Sequence, residues 1–296
     1  MLNKKKTLLK LILLFISLCI IIGITNRVLS YYRRIQDFDT LSLTIRNIAI
    51  SEDLDYSFLL KQLDFPRLVL SCKKDEKFPA ASLIKLPVLA AAFAKVNEKK
   101  ISLTDKIVIT KKDITGGSGK LKAYKLPHST SFEELLEFMI SYSDNTATNK
   151  IINILGFEWI NQVSSKLGLE NTNLSRYLMD FTQRRKGIEN YTSASDMAII
   201  LEQIYNKELV NKNFSEIALE FLKNQTVNDR IPRYLPDKVS IAHKTGLERD
   251  AVHDVGIVFT SKGDYILCVL VKGFKNYQQA KNFIAQISLL TYNLLQ

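Results

Sequence analysis

The chain has 296 residues, enough for one large or two small domains, and 46% of them are hydrophobic, which suits a globular protein with a real core. The net charge of +11 raises nucleic acid or anionic lipid as partners. Residues 1–36 carry +7 with no acid and leave +4 for the rest, so the excess belongs to the N-terminus and the reading is of no nucleic-acid partner.

In chain order, a basic cluster, Lys4–Lys6, precedes the uncharged run Leu11–Thr25, the pattern of an export signal. Fifteen residues are short for a span, which needs about 20, but Lys10 and Arg27 can snorkel and extend it. No A-x-A-like cleavage site follows, and bulky Leu18 before Cys19 argues against lipidation. Residues 1–31 are therefore read as a signal-anchor rather than a cleaved signal. With the cluster cytoplasmic, the body is extracytoplasmic on a single-pass membrane protein.

Residues 32–50 predict a helix with Ile35, Phe38, Leu41, Leu43 and Ile45 on a broad apolar face. Residues 56–74 read as two short strands around Asp64–Pro66. The run Ser82–Glu98 predicts a buried helix beginning near Ala80. Further helices are expected over 132–143, 145–156 with Gly156 as stop, 157–169, 193–209 behind a serine cap, and 214–225. The C-terminal part changes character: 239–246, 251–261 and 264–273 are β-branched, strand-length runs, the last two joined as a hairpin through Ser261–Asp264. A closing helix covers 276–295. Strands at both ends and helices between them predict an α/β fold. Its antiparallel sheet comes from N- and C-terminal segments flanked by helices, with an inserted all-helical part. The expected division is 32–80 and 236–296 for the α/β part and 81–235 for the helical part.

Three short motifs carry chemistry. Ser82 and Lys85 stand at i and i+3 on a helix start, so hydroxyl and amine share a face. The amine is a base if burial or a nearby cation depresses its pKa. Alone this says little, since Ser71 and Lys74 have the same spacing in a strand-like run where they would not face each other. Ser143 and Asn145 lie in a strongly polar segment, Ser141–Lys150, between two apolar helices, and offer a hydroxyl for proton relay and an amide for a carbonyl. A solvated interhelical turn is the plainer reading of that segment. Lys244, Thr245 and Gly246 sit on a predicted strand as a cation, a hydroxyl and a glycine that lets a ligand lie against the strand edge.

Ser-x-x-Lys, Ser-Asp-Asn 61 residues later and Lys-Thr-Gly 101 further on are the signature of penicillin-recognising serine enzymes. Over about residues 35–296 the chain resembles the class A β-lactamases and their penicillin-binding-protein relatives. The resemblance implies that Ser82 is the nucleophile and Lys85 its base. It implies that Ser143 relays a proton to the leaving nitrogen and that Asn145 binds the substrate amide. Lys244 and Thr245 would hold the substrate carboxylate, with Lys244 also keeping the Lys85 pKa low. The backbone N–H groups of Ser82 and Leu247 would form the oxyanion hole. The substrate would be a β-lactam or a D-Ala-D-Ala peptide, the protein a monomer, and no cofactor or metal is implied. His128, His243 and His253 lack ligand spacing, and His253 is read as structural. Cys72 and Cys268 are compatible with pairing, which export permits, or with separate buried thiols; the resemblance places their strands apart, against pairing.

The chain departs from the class A pattern in one place. No E-x-x-L-N occurs in the segment after Arg176, where that family carries its deacylating glutamate. Alignment on Arg176 puts Leu178 at that position, and alignment on Asn190–Thr192 puts Tyr177 there. Asp180 and Glu189 are the nearby carboxylates that would substitute, unless they are structural, Asp180 pairing with Arg184 or Arg185. Three activities follow: a β-lactamase with turnover, a D,D-peptidase or slow penicillin binder, or a binding module that has lost catalysis. The intact serines and lysines speak against the third.

Overall fold

The structure, a computed structural model, describes residues 2–64 and 68–296, with side chains from residue 13. Phe65 and Pro66 of the expected turn, and the side chains of Lys4–Lys6, lie outside the described residues. The chain divides into two units, Met1–Ile45 and Arg46–Gln296.

The first unit is helix. The apolar run and the amphipathic segment expected as separate elements are one helix, α1 (Leu2–Ser51), which continues into the second unit. Neither proline nor glycine stands between Gly23 and Ser51 to interrupt it. It ends where Leu54 N–H donates to Ala49 O across Asp53, whose φ is +54°.

The second unit is built on a five-stranded antiparallel sheet. Its strands are β1 (Asp55–Gln62) and β2 (Val69–Cys72) from the N-terminal side. From the C-terminal side come β7 (Ser240–Glu248), β8 (Ala251–Phe259) and β9 (Tyr265–Lys272). The order is β2-β1-β9-β8-β7, so β1 joins the two ends of the chain, with Leu59 opposite both Ser71 and Cys268. Cys72 and Cys268 thus flank β1 on different strands, and both are free thiols. β9 is buried at nearly every position, the pattern of a strand covered on both faces. Ile266, Cys268 and Leu270 share the core with the helical part, while the alternate residues Leu267, Val269 and Val271 point the other way. The closing helix α9 (Tyr277–Leu295) packs on β8 and β9, and its Phe283 meets Tyr56 of β1 edge to face.

Between the two halves of the sheet lie the helices α2 (Lys85–Asn97), α3 (Phe132–Ser141), α4 (Asn145–Leu155), α5 (Phe157–Lys166), α7 (Ala194–Tyr205) and α8 (Lys212–Lys223). α2 is buried from Lys85 to Phe93 and packs on α3, α4, α5 and α7, which explains a sequence apolar on every side. Ser131, Asp144, Ser193 and Asn211 cap the helices that follow them. Four short strands and one short helix were not anticipated. β3 (Phe78–Pro79) pairs with β6 (Tyr191–Thr192), and β4 (Lys106–Ile109) pairs with β5 (His128–Ser131). A fifth, α6 (Phe181–Arg185), is a short helix in the segment after Arg176. Such two- to five-residue pieces have no periodicity to read and exist only through partners distant in sequence.

Candidate active site

The α-helix expected to carry both Ser82 and Lys85 begins only at Lys85; Ser82 lies on a 3₁₀ turn, Ala81–Ile84. The shared face survives, because residues three apart in a 3₁₀ turn eclipse one another. The turn is entered through Ala81 at φ +45°, a left-handed conformation unfavourable for alanine. Three anchors hold it there. Ala80 N–H donates to Asn190 O, and His253 Nε2 lies 2.8 Å from Pro79 O. The third is β7, whose Gly246 lies so close that a Cβ there would stand 3.4 Å from Ala81 Cβ and 3.2 Å from the His253 ring. A side chain at 246 would therefore press on His253, which must give by a few tenths of an ångström, and touch the turn at Ala81. Ser82 itself is half-exposed.

The bridging turn between α3 and α4 presents Ser143, also left-handed at φ +51°. Asp144 staples it: its carboxylate accepts from Lys120 N–H, Leu121 N–H and Ala147 N–H, which fixes the loop Gly116–Leu121 against the start of α4. Lys85 and Lys244 both reach Ser143 from buried positions. Lys85 Nζ lies 2.6 Å from Ser143 O, 3.1 Å from Ser143 Oγ and 2.9 Å from Asn145 Oδ1. Lys244 Nζ lies 3.0 Å from Ser143 Oγ and 3.0 Å from Thr245 O. Asn145 Nδ2 donates to Gly116 O at 2.9 Å, so both ends of that amide are fixed. The polar segment between α3 and α4 is therefore no solvated turn; Ser143 through Thr148 are buried.

Burial pushes the Lys85 amine well below the ordinary lysine range, and the Lys244 charge adds to the effect against the opposing Asp144 carboxylate. Burial lowers Lys244 to about 7, with Asp254 opposing and Arg230 adding. Around Lys85 the geometry satisfies either protonation state. An ammonium donates to all three acceptors; a neutral amine donates to Ser143 O and Asn145 Oδ1 and receives the Ser143 hydroxyl proton. A proton can pass between Ser143 Oγ and Lys85 Nζ with no heavy atom moving. Lys244 keeps one donor on Ser143 Oγ throughout. Thr245 and Gly246 follow it on β7, the edge strand, and Leu247 next to them is exposed.

Residues 40–295 match the profile of the β-lactamase enzyme family. The chain belongs to that family. As a family member it is a serine hydrolase. A β-lactamase of Bacteroides uniformis is 25% identical over 235 residues, 74% of this chain and 79% of that one. The crystal structure of a β-lactamase from Sphaerobacter thermophilus superposes with a TM-score of 0.79 at 25% identity, covering 85% of this chain and 95% of the other. PBP-A superposes with a TM-score of 0.79 at 31% identity, covering 86% and 95%. A mutant of PBP-A with leucine replaced by glutamate was solved as an acyl-enzyme complex with penicillin G and is 30% identical to this chain.

In this β-lactamase-family chain the segment after Arg176 brings no free carboxylate to the two lysines. Leu178 is buried, its N–H donating to Asn149 Oδ1 and its C=O accepting from Asn149 Nδ2, one turn beyond Asn145 on α4. The Tyr177 hydroxyl meets Asn153, and its ring packs on Phe157. Asp180 caps α6 through Gln183 N–H and does not pair with Arg184 or Arg185, as one reading of the sequence had it. Arg184 pairs instead with Glu189, Glu248 and Asp250. Glu189 is locked between Arg176 at 2.6 Å and Arg184 at 3.0 Å. Burial pushes its carboxyl up, partly offset by the Asn190 N–H.

One residue of the site, Arg230, escaped the sequence reading, and a second, His253, was read there as structural, the role it has. Arg230 is buried, and its Nε makes no hydrogen bond. It is near enough to depress Lys244, and Asp254 opposes the burial that lowers its own pKa. Asp254 also holds His243 at 2.9 Å and accepts from Ile231 N–H. His253 is held neutral, lowered to about 4 by burial. Val271 N–H donates to its Nδ1, so Nε2 carries the proton that binds Pro79 O and steadies the Ser82 turn. Neither residue sits in a motif; Arg230, before the 3₁₀ turn Ile231–Tyr234, and His253, on β8, take their places only through tertiary packing. Among the described residues no group of three His, Cys, Asp or Glu could hold a metal.

Proposed function

We propose that this protein is a membrane-tethered penicillin-binding serine enzyme that is acylated at Ser82 by β-lactams or D-Ala-D-Ala peptides and deacylates slowly, in the manner of a D,D-peptidase. Ser82 Oγ attacks the carbonyl and gives its proton to neutral Lys85. The oxyanion is received by the backbone N–H groups of Ser82 and Leu247. Asn145 orients the acyl-side amide. Ser143, between the two lysine nitrogens, returns the proton to the leaving nitrogen. Lys244, Thr245 and Arg230 hold the carboxylate of the substrate.

The observation that carries slow deacylation is the engagement of both carboxylates of the segment after Arg176. Leu178 is apolar, Asp180 caps a helix, and Glu189 is ion-paired to two arginines. A positioned general base contributes about 10²–10⁴-fold, and its loss leaves acylation intact while water attacks slowly. Resemblance to PBP-A over most of the chain supports the same reading, whereas the names of the other relatives favour turnover of β-lactams. Tethering rests on α1, which from Leu13 is long and apolar enough to cross a membrane. Leu14 and Phe15 are 69% and 67% exposed, apolar surface that water does not favour.

The test is electrospray mass spectrometry of the full chain in detergent mixed with benzylpenicillin and followed over time, with Ser82→Ala as control. An adduct on wild type that persists for many minutes supports the proposal. Rapid loss of drug without a lasting adduct identifies a β-lactamase. No adduct and no loss removes both, and leaves a binding module.

A further inference from the structure

The +4 that remains beyond residue 36 is unevenly spread. Residues 99–125 hold eight lysines, two aspartates and neither arginine nor glutamate, a charge of +6, which leaves the other residues beyond 36 at −2. The segment contains β4, the 3₁₀ turns Lys111–Asp113 and Leu121–Ala123, and the loop Gly116–Leu121 that Asp144 staples beside Ser143.

All eight lysines are exposed, and among the described residues only Lys100 has a carboxylate within 4.0 Å, that of Glu98 at 2.7 Å. The acids of the segment are engaged elsewhere: Asp113 is held by Lys150 of α4 at 2.8 Å, and Asp105 accepts from Ser102 N–H. On β4, Lys106 and Val108 are exposed while Ile109 turns inward. Lys120 and Lys122 reach the active-site loops: Lys120 Nζ lies 4.1 Å from the centre of the Tyr142 ring, and Lys122 Nζ donates to Gly117 O at 2.7 Å. Unpaired like charges gathered in this way repel one another, and a polyanion that neutralises them gains further by releasing its own counterions.

The composition of the segment narrows the partner. Every residue of it is described, and Val108 is its one exposed large apolar side chain, so it has no apolar face to bury in a bilayer interface. Its one aromatic residue, Tyr124, is packed against His128 and Phe138 and offers no platform on which a base could stack. Lysines are point charges on flexible stems, without the planar fork by which arginine reads a fixed pair of oxygens. Such a surface recognises a flexible chain of phosphates by charge alone.

We propose that residues 99–125 form a docking surface for a flexible, base-free phosphodiester polymer, which brings the active-site loop Gly116–Leu121 against that polymer. The inference does not depend on acylation of Ser82.

The test is fluorescence anisotropy of labelled poly(glycerol phosphate) titrated with the full chain in nonionic detergent. Two variants of equal net charge are compared. One carries Lys106→Gln, Lys111→Gln, Lys112→Gln and Lys125→Gln. The other carries Lys186→Gln, Lys238→Gln, Lys262→Gln and Lys275→Gln, at exposed positions outside the segment. The first should weaken binding at least about tenfold, the scale of losing four phosphate contacts. The second should weaken it less than about twofold, because salt screens distant charges. Wild-type affinity should fall about fiftyfold between about 50 and 200 mM salt, as four neutralised phosphates require. Equal losses in the two variants, or an affinity indifferent to salt, overturn the inference and leave a solvated lysine-rich face. Tighter binding of oligothymidylate with the same number of phosphates also overturns it and assigns the surface to nucleic acid. Full displacement of the polymer by phosphatidylglycerol in mixed micelles at equal phosphate concentration overturns it in favour of lipid.

Discussion

At the residue scale, the proposed function depends on two buried amines that share one hydroxyl. In that mechanism Lys85 takes the Ser82 proton as a neutral amine, the form that burial and the Lys244 charge favour. Lys244 must be charged to hold a carboxylate, and its value of about 7 puts that charge at risk on the alkaline side. Protonation of Lys85 on acidification removes the base, and deprotonation of Lys244 above about 7 removes the cation. The second-order acylation rate should therefore fall on both sides of a maximum, with the alkaline limb near 7 in the free enzyme. Stopped-flow acylation by a chromogenic cephalosporin across pH 5–9 measures it; a rate that keeps rising above pH 8 would contradict the Lys244 assignment. The proposed slow deacylation is tested as directly. Leu178→Glu introduces a carboxylate beside α4 and should shorten the lifetime of the penicillin adduct by at least about tenfold, within the range of general-base catalysis. An unchanged lifetime would show that absence of a carboxylate at 178 is not what limits turnover. The motif residues were legible because each element keeps its spacing in any alignment of serine, lysine and amide. Arg230 was not, and His253 only as a structural residue, because their places at the site come from burial and tertiary packing.

At the element scale, the segment after Arg176 is strapped to the β7–β8 hairpin. Arg176 joins Glu189 at 2.6 Å and Glu248 at 2.9 Å, and is almost wholly buried. Removing one partner of a buried pair typically costs about 3–5 kcal/mol where it strands the other charge. Here Arg184 still reaches Glu189 and Glu248, so Arg176→Ala should destabilise the protein by less, about 1–3 kcal/mol in urea unfolding, and Arg176→Met with Glu189→Leu should recover much of the loss. A cost below about 1 kcal/mol for the single variant would mean that solvent reaches the cluster. Long elements were legible here for a physical reason: α3, α4, α7 and α9 bury a periodic apolar face, and β9 is a nearly continuous apolar run. Their ends were less so. Ser82 moved from an α-helix to a 3₁₀ turn because contacts with Asn190, His253 and Gly246 set the backbone at Ala81, and no local signal records them.

At the scale of the whole molecule, an apolar N-terminal helix precedes a hydrolase unit that begins at Arg46. If α1 is the tether, deletion of residues 1–31 should move the protein from the membrane fraction to the soluble one and leave its acylation by benzylpenicillin unchanged. Continued sedimentation with membranes would place the attachment elsewhere. Sequence alone determined the α/β architecture, since strands at both ends of a chain with helices between them have few ways to bury their apolar faces. It also determined which hydroxyls and amines to compare, since their spacing is a property of the chain. Only the tertiary structure decided what those groups can do. The basicity of Lys85 comes from desolvation and from a charge 159 residues away in sequence. The fate of Asp180 and Glu189 comes from a helix start and two arginines. Proton affinity and ion pairing depend on burial and distance, and neither exists until the chain has folded.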